Sequence, residues 1–238
     1  MTTWRWSHAR HHTDTYIVGR DPEIALMRPP AFIKLILSFF GIPQAIGFFP
    51  RMLYNATTGV HPEEKTFVPQ TEWPQLVKVA RISTLIYAAT LLLAIITWSL
   101  LPQMLIGLPS LYGAWHHVMT GLLQHGGLAD NVIDHRLNSR TVLMNPVSQF
   151  IYWNMNYHVE HHMFPMVPYH ALPRLHDIMQ HDLPAPNPSI PAAFAEMWPA
   201  LRRQLANEEY FVRRTLPATA KPYREDFHIA ALGAAAAE

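Results

Sequence analysis

Two copies of one histidine pattern carry the first chemical signal in the sequence: His8-Ala-Arg-His11-His12 and His158-Val-Glu-His161-His162. On a helix, positions i, i+3 and i+4 share a face, so each copy aims three imidazoles in one direction. Each copy is therefore half of a metal site, and the two together offer six ring nitrogens. Structural zinc takes four ligands and catalytic zinc three, so six imply two metals or one of higher coordination. Imidazole suits iron, copper, nickel and zinc, and ligand type alone does not choose among them. The zinc-peptidase signature His-Glu-x-x-His is absent, because Glu160 directly precedes His161. A polar face of a histidine-rich helix is the plain alternative, and the recurrence of the pattern argues against it.

Composition narrows the class. The chain has 238 residues, a net charge of +1, 15 histidines and no cysteine. Disulfide scaffolds, thiolate-held clusters and cysteine nucleophiles are thereby excluded. The small net charge offers no basic surface for nucleic acid, so no nucleic-acid partner is expected. Ten of the histidines fall between His116 and His181, which is where a metal is sought first.

The elements that must position these histidines are apolar. No Lys, Arg, Asp or Glu occurs between Ile82 and Ala129. Ile82–Leu101 is about the length needed to cross a hydrocarbon core, and Met104–Leu123 is a second, weaker candidate interrupted by Gly107 and Pro109. The expectation is a transmembrane helical hairpin over 82–124, turning near Pro102–Gln103; the buried core hairpin of a soluble all-α protein is the competing reading. Lys78 and Arg81 before the hairpin, and Arg136 and Arg140 after it, place both ends in the cytoplasm by the positive-inside rule. A further apolar stretch, Ala31–Phe49, contains Lys34 and the breaker Gly41-Ile-Pro43, which suits an interfacial or re-entrant segment. The expected order is a cytosolic segment with the first pattern (1–30), the re-entrant stretch (31–50), a cytosolic connector (51–81), the hairpin (82–124), a histidine-rich helical cytosolic cap (125–183), and a C-terminal region (184–238). That last region comprises a stiff linker Pro184–Pro191, a helix Ala192–Arg214 and a frayed tail from Ala230. The fold class is thus an all-α membrane protein.

Trp4–Thr15 resembles the second histidine box, and Asn154–Pro165 the third, of the integral-membrane fatty acid desaturase and hydroxylase superfamily. Leu123-Gln124-His125 resembles the element that supplies another ligand in the acyl-lipid type. The resemblance implies a non-haem di-iron centre held in a cytosolic cap, with molecular oxygen as co-substrate for breaking an unactivated C–H bond. Position by position, it implies His8, His11, His12, His158, His161, His162 and His125 as iron ligands. Asp14 and Glu160 are the expected acceptors that orient imidazole N–H groups. It further implies a membrane lipid or acyl substrate, a bacterial inner-membrane location, and a separate electron donor, ferredoxin-type, since no haem domain is fused. His116, His117 and His135 receive no role, and His181 is expected to matter little.

Such enzymes also carry a first box, two histidines with three or four residues between them, after an initial membrane hairpin. This sequence begins seven residues before His8 and shows neither, so a truncated chain or an upstream start is expected. The functional expectation is a fatty acyl or lipid desaturase. A hydroxylase or monooxygenase of an apolar substrate on the same scaffold is one alternative, and a non-catalytic membrane metal-binding fragment is the other.

Overall fold

The structure is a computed structural model that describes residues 2–220. Among these the protein is all-helical, with isolated bridges in place of strands. The expected tail from Ala230 lies outside the described residues. In chain order the helices are α1 (Thr2–Thr13), α2 (Phe32–Ser38), α3 (Ile42–Thr57), α4 (Trp73–Ile96), α5 (Leu101–Ile106), α6 (Pro109–Tyr112), α7 (Ala114–His125), α8 (His135–Asn138), α9 (Pro146–Ile151), α10 (His158–Met163), α11 (Leu172–Met179) and α12 (Ile190–Gln204). Among the described residues the contacts mark two units, one of residues 2–9 and 32–119, the other of residues 10–31 and 120–220.

The first unit is built on α4. With the preceding turn it runs 27 residues, and its most apolar 18-residue stretch has a mean hydropathy of 2.0, which makes it the one helix among the described residues long and apolar enough to cross a membrane alone. Its apolar side chains are largely unpartnered: Leu85, Leu91, Leu92, Leu93, Ile95 and Ile96 are exposed. A core helix of a soluble protein would bury such residues, so the exposed surface suits lipid. Trp73, at the start of α4, packs beside a small core of Val60, Val68 and Leu76. There the indole N–H donates to the Val68 carbonyl at 3.0 Å.

The first apolar run of the expected hairpin is the continuous helix α4. The chain reverses at Thr97–Leu100, and α5 packs back on α4. The expected second span, however, is divided into α5, α6 and α7. Pro109 has no N–H for the preceding turn, and the chain breaks at Gly107 and Gly113 on either side of α6. The hydropathy of Met104–Leu123 reports composition and cannot register these breaks.

The stretch expected to be interfacial or re-entrant forms two helices, α2 and α3, bent 76° apart. The bend is made by Gly41, at φ 66°, with Pro43 in the first turn of α3. A Cβ at Gly41 would meet the Ser110 carbonyl oxygen of α6 at 2.4 Å. Only glycine tolerates both the left-handed backbone and this approach. Gly41→Ala is therefore expected to cost at least about 1–2 kcal/mol for the backbone alone, read as a lowered thermal midpoint in detergent with activity per folded molecule retained.

In the second unit, caps and short bridges fix the loops. Asp134 caps α8 by accepting from the Arg136 amide at 3.0 Å, and Asn145 caps α9 by accepting from the Ser148 amide at 2.9 Å. Residues 141–143 pair with Tyr157 on one side and Asn187 on the other. The segment expected to be a stiff linker is tied down: the Asn187 amide donates to the Thr141 carbonyl at 2.9 Å, and the Leu143 amide donates to the Asn187 carbonyl at 2.8 Å. The C-terminal helix ends at Gln204 rather than at Arg214, and buries Ala193, Met197, Ala200 and Leu201. Met197 and Ala200 lie where side chains on Gly126 and Gly127 would have to go, so α12 closes directly over the turn that follows His125.

Candidate metal centre

Four side chains in the second unit converge on one buried point. His11 comes from the end of α1, His125 from the end of α7, and His158 and His162 from successive turns of α10; their ligand nitrogens all lie within 4.8 Å of one another. Each position has a local reason. His158 and His162 are i and i+4, about one turn apart on one face of α10. Tyr157, directly before α10, is held by its bridge to Thr141. His125 is held by Arg140, whose buried guanidinium donates to the Leu123 and Gly126 carbonyls at 2.7 and 3.0 Å. Those are carbonyls that the end of α7 would otherwise leave without partners. Glu196 of α12 pairs with Arg140 at 3.1 Å.

The hydrogen bonds on the far side of the rings decide which nitrogen carries the proton. His125 Nδ1 donates to the Asn138 carbonyl at 2.9 Å. Thr15 Oγ1 donates to the His11 carbonyl at 2.6 Å and so accepts from His162 Nδ1 at 3.1 Å. His11 Nδ1 meets the Asp21 carboxylate at 2.8 Å. That carboxylate also accepts from the Tyr16 and Glu23 amides at 2.8 Å each. Three rings are thereby protonated at Nδ1 and present an Nε2 lone pair inward. His158 Nε2 sits between two of these, 2.9 Å from His125 Nε2 and 3.0 Å from His162 Nε2. One ring N–H cannot serve both neighbours. Nitrogen lone pairs brought this close, with a buried His158 Nδ1 that has no hydrogen-bond partner, are the arrangement a cation resolves.

Burial sets the electrostatics. It pushes the pKa of His125, His158 and His162 well below the ordinary histidine range, and the neighbouring imidazoles push it further. The rings are therefore neutral, the form that ligates. For the metal-free chain the sign follows directly. Unfolded histidines take up protons below about pH 6.5, while these folded ones do not. Stability is therefore full above that pH and falls as the pH is lowered. The denaturation midpoint of metal-free protein is expected to drop between pH 7.5 and pH 5.5.

A second pair of imidazoles adjoins this group. His12 and His161 have ring centroids 4.5 Å apart, and His12 lies 4.4 Å from His162. His8 is one turn earlier than His12 on α1, on the same helical face, with its ring stacked on Trp4 at 5.3 Å. His135, at the start of α8, is 5.1 Å from His162, and burial lowers its pKa too. His181 is exposed on the surface.

Of the two carboxylates expected to accept from imidazoles, Glu160 meets one, that of His176, and Asp14 is engaged by arginines. Asp14 is engaged by Arg10 at 3.2 Å and Arg20 at 2.8 Å. Glu160, wholly buried, accepts from Thr141 Oγ1 at 2.5 Å and pairs with His176. The aspartate that meets a box histidine is Asp21, which sequence reasoning missed along with Thr15 and the Asn138 carbonyl. Thr15 closes the first motif and could have been found there. Asp21 lies in an aperiodic loop and the Asn138 group is backbone, so neither leaves a pattern.

Residues 1–193 match the sequence profile of the family described as Fatty acid desaturase. The chain belongs to the fatty acid desaturase family. No curated protein and no solved structure matches the chain significantly. The match takes in both histidine patterns, His125 and the apolar helices. Fatty acid desaturases are membrane-bound and use di-iron centres, and the buried imidazole group described above is one a metal fits. The match ends near the start of α12, although Glu196 on that helix supports the turn that presents His125.

Proposed function

We propose that the protein is a membrane-bound, oxygen-dependent desaturase of fatty acyl or lipid chains, with a histidine-held pair of irons. The single observation that carries this reading is the convergence of His11, His125, His158 and His162 on one buried point, in a chain of this family. These four would hold one iron; His8, His12 and His161, on the same helices, would hold the other. A di-iron centre, when bound, supplies the oxygen-dependent cleavage of an unactivated C–H bond.

The chain's own residues prepare that chemistry. Asp21, Thr15 and the Asn138 carbonyl fix three rings by their Nδ1 protons, which sets orientation and raises ligand basicity. Burial keeps His125, His158 and His162 neutral, the form that ligates. An apolar chain is already dissolved in the bilayer, so the substrate need not cross water to reach the protein. Electrons come from a separate carrier of the ferredoxin type, and the site lies on the cytoplasmic side of the bacterial inner membrane.

The test is product analysis. Iron-loaded protein in lipid nanodiscs, supplied with oxygen, a reduced ferredoxin and a saturated acyl lipid, is expected to yield an olefin. An alcohol would move the assignment to hydroxylation, and neither product would contradict both.

A further inference from the structure

We propose that an apolar ridge on the second unit, formed by α9, the turn after it and the loop after α10, sits in the interfacial layer of the lipid bilayer. This rests on the membrane reading of the family, and extends it to a segment with no spanning helix. Val147, Phe150, Ile151, Trp153, Met166 and Tyr169 all face outward, with Phe150 at 83 % and Met166 at 92 % exposure. A water-facing cap does not keep such a cluster.

Three observations select lipid as the occupant. First, from Thr141 to Pro173 the only Asp, Glu, Lys or Arg is Glu160, and that carboxylate is wholly buried. The surface this segment presents therefore carries no carboxylate, ammonium or guanidinium. Protein-docking surfaces carry a polar rim and favour arginine; a surface that enters headgroups and acyl chains has reason to shed formal charge. Second, the rings present are those of the bilayer interface. Trp153 lies 4.9 Å from Tyr169, and the next residue, Asn154, ties the two segments by donating to the Tyr169 carbonyl at 3.1 Å. Third, the turn that projects the indole is strained. Trp153 and Asn154 both have φ 54°, a left-handed backbone that asparagine tolerates and tryptophan does not. The side chain it projects is 62 % exposed. Trp98, at the end of α4, has the same backbone state at φ 48° and is 96 % exposed, where the end of a spanning helix calls for an interfacial anchor.

The absence of cysteine makes the test clean. Phe150→Cys and Met166→Cys, each carrying a nitroxide, are compared in phosphatidylcholine–phosphatidylglycerol nanodiscs with Leu92→Cys on α4 and Arg202→Cys on α12. Collision with dissolved oxygen is measured against collision with a water-soluble nickel chelate. Positions 150 and 166 are expected to favour oxygen, as position 92 does, while position 202 favours nickel. If 150 and 166 follow position 202 while 92 favours oxygen, the ridge is in water and the proposal falls, with the membrane reading intact. If 92 also favours nickel, the membrane reading falls with it. Exclusion of both reagents at 150 and 166 would mean that protein covers the ridge, and would overturn the proposal as well.

Discussion

Replacement of His158 by alanine is expected to abolish bound iron at the buried group and to leave no detectable oxidised lipid. His158 is the ring whose Nε2 lies within 3.0 Å of both its neighbours, so it contributes to any cation placed there. The loss should exceed the about 10–100-fold typical of a residue that merely supports a ligand. Insertion should be unchanged, because the apolar length lies in α4 and the variant does not touch it. Replacement of His11 or His161 should likewise remove iron and activity. Retention of full activity in the His158 variant, with iron at its wild-type level, would contradict the ligand assignment. His181→Ala supplies the matched control, since that ring is exposed, and should behave as wild type.

Asp21 carries the second large effect. Its carboxylate accepts from His11 Nδ1 and from the Tyr16 and Glu23 amides. Asp21→Asn keeps the size but replaces one carboxylate oxygen with an amide NH2, which cannot accept, and removes the charge that makes His11 a stronger ligand. A loss of about 10–100-fold in iron affinity or activity is expected, with helical content by circular dichroism unchanged. Asp21→Ala should lose more, because the loop that follows α1 then also loses its anchor. If Asp21→Asn retains iron as tightly as wild type, the contact with His11 is structural only, and the supporting shell has been misassigned.

The parts legible in the sequence were those with a period or a motif. The spacing of His8, His11 and His12, and of His158, His161 and His162, survives any choice of tertiary arrangement, because helical geometry alone puts them on one face. His125 was found through its resemblance to a known element, and no spacing rule would have found it. The central apolar helix was legible from hydropathy, although its start moved back from Ile82 to Trp73, since a helix does not end where its apolar stretch begins. What the sequence does not display is whatever depends on single breakers or on backbone groups. Gly107, Pro109 and Gly113 divide the second apolar run into short helices that a window of average hydropathy cannot separate. The proline-rich segment 184–191 looked like a linker by composition, yet Asn187 pairs with residues 141 and 143. Asp14 was the nearer carboxylate in sequence, but Arg10 and Arg20 take it. The ridge at Phe150 and Trp153 gave no hydropathy signal, because asparagine, glutamine and histidine alternate with the exposed apolar residues.

The central claim is that the histidines of the two motifs, with His125, hold a pair of irons. The most direct measurement is elemental analysis of the detergent-purified full chain after anaerobic reconstitution with ferrous iron and removal of unbound metal. The account predicts about two irons per chain, falling sharply in the His158→Ala variant. Zinc in place of iron, or iron well below one per chain in the wild-type protein, would contradict it.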